Sequence, residues 1–174
     1  DGTGPSITAA GFVGVLRTDI DPASGHGWLT SPNSFDAGLP NEEDENPDSN
    51  YNVLTTDLYR DYHSGHALLG PRTFRVQVDS AEKYDGTLYI GSQNFDASTQ
   101  VTIEGLGVVT TADTVAQQFV TVGFAGAMDA GADGFIDITF EHGGSLTTPL
   151  WAANGVDLIK QGVVLPLPAP IVAA

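Results

Sequence analysis

The sequence predicts an all-β fold, an antiparallel β-sandwich of the jelly-roll type, and three observations predict it. Short segments alternate apolar and polar residues with a period of two, as strands with one buried face do. Glycine, 21 residues in all, falls with Asp, Asn and Pro between those segments, where turns need them. No segment keeps a helical period over three turns, so the sheet must supply the core.

Taken in order, residues 1–6 are a polar, Gly-rich lead and 12–16 read as a short strand. Residues 19–33 read as a Gly/Pro/Ser loop carrying His26 and Trp28. Residues 41–50, NEEDENPDSN, are an acidic low-complexity segment, either a solvated loop or a cation-binding one. A strand candidate follows at 53–59, then a long loop over 60–72 with Tyr62, His63 and His66. Residues 73–79, TFRVQVD, alternate cleanly, with Phe74, Val76 and Val78 on one face. The run Tyr84-Asp85-Gly86-Thr87 reads as a turn into a strand at 88–91, and 94–98 as a polar loop. Residues 101–106 and 108–110 pair about Gly107, and 118–124 place Val120, Val122 and Phe124 on one face. A Gly/Asp turn at 129–134 leads to 135–140, with Ile136, Ile138 and Phe140 on one side. After the Gly143-Gly144 turn, 151–159 form the last strand, opened by Trp151 as a core residue. Residues 1–162 thus make one sandwich domain. The remainder, 163–174, carries three prolines in VVLPLPAPIVAA; proline cannot sit in a central strand, so this is a tail or linker, dispensable for folding.

Composition narrows the function. The net charge is −16, with only six Lys and Arg. Such a surface repels phosphate backbones and excludes a nucleic-acid role. It also disfavours anionic membranes and strongly acidic polysaccharides unless a cation bridges them. There is no cysteine, hence no disulfide, thiol nucleophile or Cys-based zinc site. The chain starts at Asp1 without an apolar leader, which reads as a trimmed terminus and points to a secreted or cell-surface protein. No apolar run is long enough to insert in a membrane.

Catalysis finds little support. There is no Gly-x-Ser-x-Gly elbow and no HExxH. Among 22 acidic residues some pair will always suit a glycosidase, so that signal carries no weight. The expectation is therefore a protein that is not an enzyme. Calcium prefers carboxylates and carbonyls in irregular loops, and Asp19, Asp21, Asp129 and Asp133 are candidate ligands; a bound calcium should stabilise the fold. Three aromatics, Trp28, Tyr62 and Phe95, fall outside the alternating faces. Sugar rings stack on such planes while neighbouring Asn and Asp bind their hydroxyls.

The order of these segments resembles galactose-binding-like jelly rolls. The run LTTDLYRDYHSGHALLGPRTFRVQV carries the Arg-Asp-aromatic loop, as Arg60-Asp61-Tyr62, and then Thr73-Phe74-Arg75-Val76. Downstream, VTTADTVAQQFVTVGF, GADGFIDITF and WAANGVDLI are similar to that family's later strands, and GHGW at 25–28 to its early GYGW. The resemblance implies a two-sheet sandwich without a catalytic centre, of the malectin-like and carbohydrate-binding-module kind found beside bacterial polysaccharide-degrading enzymes. It implies stacking of a sugar by Tyr62 and Phe95, with Asn154 and Asp61 on its hydroxyls and Trp28 as the next candidate platform. The expected partner is a polysaccharide or other glycan. The rival reading is a calcium-dependent structural or adhesive surface protein that self-associates into a layer or filament. The tail Leu165-Pro166-Leu167-Pro168-Ala169 resembles the start of a bacterial C-terminal sorting signal.

Overall fold

The structure, a computed structural model, describes residues 25–29, 41–44, 61–144 and 146–162, with 41–44, 61 and 62 as backbone alone. The expected strands at 12–16 and 53–59, Asp19, Asp21, residues 45–50 and the tail 163–174 lie outside the described residues.

Eleven strands appear in the described residues: β1 (His26–Trp28), β2 (Asn41–Asp44), β3 (Asp61–His66), β4 (Arg72–Gln77), β5 (Tyr84–Ser92), β6 (Ala97–Ile103), β7 (Gly107–Thr114), β8 (Gln118–Ala127), β9 (Phe135–His142), β10 (Leu150–Ala153) and β11 (Gly155–Lys160). Every pairing among them is antiparallel. One layer is five-stranded, in the order β1-β4-β9-β6-β7. The other consists of two three-stranded sheets, β10-β3-β2 and β11-β5-β8. These two are continuous, because β10 and β11 are successive parts of one strand that is offset at Asn154. There the Asn154 N–H donates to the Tyr89 carbonyl at 2.9 Å and carries the ladder across the offset.

The layers are held by the alternation the sequence displays. Phe74 of β4, Val101 and Ile103 of β6, and Ile136, Ile138 and Phe140 of β9 turn inward from the first layer. Leu88 and Ile90 of β5, Phe124 of β8 and Trp151 of β10 meet them from the second. One aromatic group closes an end of this core. Trp28, 3 % exposed, lies 5.3 Å from Phe74, 5.9 Å from Phe140 and 6.2 Å from Trp151 between ring centroids, and Trp151 stacks on Phe140 at 5.7 Å. Gly65 faces Trp151 in the β3–β10 register. A side chain there would begin 2.5 Å from the indole Nε1, so only glycine leaves room for the ring.

A polar bridge joins the layers beside the aromatics. The buried Thr99 hydroxyl of β6 accepts from the Ala152 N–H of β10 at 3.0 Å and donates to the Ala152 carbonyl at 3.1 Å. It thereby satisfies two buried backbone groups on the β10 edge that faces away from β3.

Several sequence expectations need correction. The 60–72 loop is instead β3 followed by a 3-10 turn, Ala67–Leu69, because residues 61–66 find strand partners on both sides, β2 and β10. The first residues of the acidic segment, Asn41–Asp44, form an edge strand rather than a loop. The Asp85-Gly86 pair is not a turn. It lies within β5, and Gly86 is required because a β-carbon would strike the Asp157 carbonyl of β11 and the Phe124 ring. Arg72, read as a loop end, is buried in β4, where its Nη1 donates to the carbonyls of Leu69 at 2.6 Å and Pro71 at 3.1 Å and closes the 3-10 turn.

Candidate functional site

The site begins from the offset in the second layer. A break between β10 and β11 leaves Asn154 outside either strand's register. Beside it, β3 pairs His63 with Ala153, so the next residue back, Tyr62, stands one step further along the same ladder, level with Asn154. Asp61 precedes it at the strand start. Residues 93–96, between β5 and β6, reach the same part of the layer: Phe95 is half-buried against Ala97 and Ala152. The backbone of β3 at Tyr62 thus runs on past the His63–Ala153 pair, and Phe95 packs against Ala152, two residues before Asn154.

The loop carrying Phe95 is fixed by short hydrogen bonds rather than by burial. The Asn94 N–H donates to the Ser92 hydroxyl at 3.0 Å, and the Asp96 carboxylate accepts from the Ala116 N–H at 2.9 Å. The Gln117 N–H donates to the Ser92 carbonyl at 2.9 Å from the β7–β8 connection. Asn94 itself is exposed. A half-buried ring on a braced loop, with amide and carboxylate groups near it, can present an apolar edge together with hydroxyl-binding groups.

Two expectations fail on position. Trp28 is not a loop platform: it is the last residue of β1 and buried, enclosed by His63, Phe74, Phe140 and Trp151. A three-residue strand is too short to show alternation, so its sequence looked like loop. Tyr62 is likewise in a strand rather than a loop.

The Asp129 and Asp133 carboxylates both lie in the β8–β9 connection. Asp129, buried in the β8–β9 connection, accepts from the Ser80 hydroxyl at 2.5 Å, the Gly134 N–H at 2.7 Å and the Asp133 N–H at 3.2 Å. Ser80, ahead of those backbone donors, holds the Asp129 carboxyl below the usual aspartate range against the opposing effect of desolvation. Asp133 accepts from the Phe135 N–H at 3.1 Å and faces Arg75 at 3.4 Å. Both side chains spend their oxygens on donors of this chain and shape the turn. Nearby, Glu104 does the same for the N–H groups of Gly131 and Asp137. Among the described residues no three His, Asp or Glu side chains converge on one point.

Sequence reasoning missed the groups that position this neighbourhood. Thr99 fixes β10 two residues before Asn154, and the His63 ring lies tilted against Trp28 with centroids 5.0 Å apart. A threonine within an alternating strand gives no signal that its hydroxyl crosses to the other layer.

No protein-family model matches the chain, and no curated protein matches it in sequence. Solved structures do share its fold. The ANX2 ectodomain from Arabidopsis thaliana superposes with a TM-score of 0.57 at 17 % identity, over 75 % of this chain and 42 % of that one. The ANXUR1 extracellular domain from the same plant gives 0.57 at 17 %, over 75 % and 41 %. The plant receptor-like kinase ANX1 gives 0.56 at 16 %, over 80 % and 45 %. This chain spans less than half the length of those structures. The fold is therefore an antiparallel β-sandwich, shared with those structures, as the sequence predicts. Among the described residues no helix is long and apolar enough to cross a membrane.

Proposed function

We propose that this chain is a non-catalytic, extracellular carbohydrate-binding module, with the glycan seated where β3, the β10–β11 offset and residues 93–96 meet. The observation that supports the reading is the packing of Phe95 against Ala152 of β10, the strand that pairs with β3 up to His63–Ala153 and leads to Asn154. The likeness to extracellular ectodomains of the same fold supports it. Phe95 and Tyr62 supply aromatic surface for the sugar ring, and Asn154 and Asp61 bind hydroxyls. A net charge of −16 favours a neutral glycan over an acidic one. Calcium is not part of this reading, since Asp129 and Asp133 are engaged in their own turn.

A glycan array with the soluble chain, followed by titration calorimetry on the best responder, tests it. Tyr62→Ala and Phe95→Ala should each weaken binding by about ten- to hundredfold, the equivalent of about 1–3 kcal/mol of lost aromatic contact. Glycan binding that both variants retain at full strength would move the site elsewhere.

A further inference from the structure

We propose that the side of the sandwich formed by β7 and β8 is an interface between two copies of this chain, made by antiparallel pairing of β7 with the β7 of a second molecule. The first support is charge. The chain carries 22 acidic and six basic residues, yet from 105 to 128, which spans both strands, Asp113 is the sole charged residue. That carboxylate accepts from the Ser98 hydroxyl at 2.7 Å. Among the described strands β7 ends the first layer and β8 ends the second, so together they make one neutral side on a strongly acidic protein. A basic partner would be drawn to the charged faces. A neutral side is where a second, equally acidic copy can approach without like-charge repulsion.

The second support is exposure. Six large apolar side chains stand exposed among the described residues, and four of them lie on this side: Leu106, Val108, Val115 and Met128. Val108 is 59 % and Val115 57 % exposed, and Met128 lies against Gly105 at the turn into β7. The third support is the edge itself. Alternate residues of an edge strand turn their N–H and C=O groups away from the sheet, ready to pair with another strand. Two other outer strands of the described sheets are guarded. β1 has three residues, and β2, NEED, has three carboxylates in four positions. β7 has eight residues, GVVTTADT, five of them β-branched, with no proline or lysine. β8 is longer, but Gly123 and Gly126 interrupt its outer surface, so β7 is the pairing strand and β8 the flank. A two-fold axis through the middle of β7 makes the contact self-complementary and keeps the two Asp113 carboxylates at opposite ends. The interface shares no residue with the glycan site and stands independently of it.

Sedimentation velocity across a wide concentration range, at low and high salt, tests the proposal. The parent chain should dimerise reversibly, and more tightly at high salt as the net charge is screened. Thr111→Lys places a cation beside its own copy at the two-fold axis and should weaken dimerisation at least about tenfold, with circular dichroism and melting checked to confirm that it folds. Because the chain has no cysteine, Thr111→Cys gives a second readout that leaves the strand nearly unchanged. Under oxidation it should cross-link into a dimer far faster than Leu68→Cys, at an exposed position in the 3-10 turn. A parent that stays monomeric in every condition overturns the proposal. So does a dimer indifferent to the lysine, or cross-linking no faster at 111 than at 68. A neutral glycan that binds the monomer and is lost on Thr111→Lys would also overturn it, and would make this side a ligand face.

Discussion

The two ends of the sandwich are built on different physics, and β9 runs from one to the other. It leaves the β8–β9 turn at Phe135, beside Asp129, Asp133 and Glu104, and reaches Phe140 beside Trp28 and Trp151. At the turn end carboxylates do the structural work by accepting N–H and O–H groups, and Arg75 ties Asp137 with two contacts of 3.1 Å while lying 4.8 Å over the Phe135 ring. At the other end, large rings exclude water and one hydroxyl completes the backbone pairing. Burial of rings is independent of pH. Carboxylate bonding depends on it. The same fold should therefore fail in two distinguishable ways.

Trp151→Ala should be the most damaging change. The ring is fully buried and touches Trp28, Phe140 and the slot at Gly65. Truncating a tryptophan in such a site costs about 3–5 kcal/mol. Urea unfolding should show that loss equally at acid and neutral pH. A loss confined to one pH range would contradict the division between the ends.

Thr99→Val should come next. The substitution keeps the shape but removes the hydroxyl, leaving the Ala152 N–H and carbonyl buried without it. Unsatisfied groups of that kind cost about 2–3 kcal/mol here. Thr99→Ser, which retains the hydroxyl, should recover most of that stability. If valine and serine are equivalent, the bridge contributes nothing beyond packing.

This contrast also explains what was legible in the sequence. Strands that bury one face announced themselves: Phe74 and Val76 in β4, and Ile136, Ile138 and Phe140 in β9, fall on the inward side that their alternation predicts. β1 and β3 did not. β1 is too short to alternate, and β3, DYHSGH, is polar because its glycine and serine make room for Trp151 and the β10 edge. The carboxylates were legible as residues but not as roles. A sequence displays Asp129 and Asp133; it does not display the Ser80 hydroxyl, distant in the chain, or the turn N–H groups that occupy them. The candidate glycan site sits between these cases. Tyr62, Phe95 and Asn154 could be picked by residue type, whereas where they stand relative to one another follows from the β3–β10 register and the packing of Phe95 on Ala152, which no residue type displays.

The smallest effect at neutral pH, and the sharpest test of the comparison, should come from Asp129→Asn. Asparagine retains one oxygen for the turn but cannot carry the charge that favours the Ser80, Gly134 and Asp133 bonds. The folded carboxyl titrates below the ordinary aspartate value, chiefly because of the Ser80 hydroxyl. In the unfolded chain it titrates near about 3.9. Between those two values the unfolded state holds more protons, so stability rises with pH through that window. The contribution is complete above the unfolded value and vanishes as pH falls through the folded one. The parent should therefore exceed the Asp129→Asn variant in stability at neutral pH, and the gap should close as pH falls below about 4. Ser80→Ala removes the largest cause of the shift, so it should narrow the window by bringing the folded titration back up toward the unfolded one. Thr99→Val, at the other end, should show a deficit that does not change across the same range. A pH-independent gap for Asp129→Asn would mean that its carboxylate acts through shape alone and that the two ends do not differ as their chemistry requires.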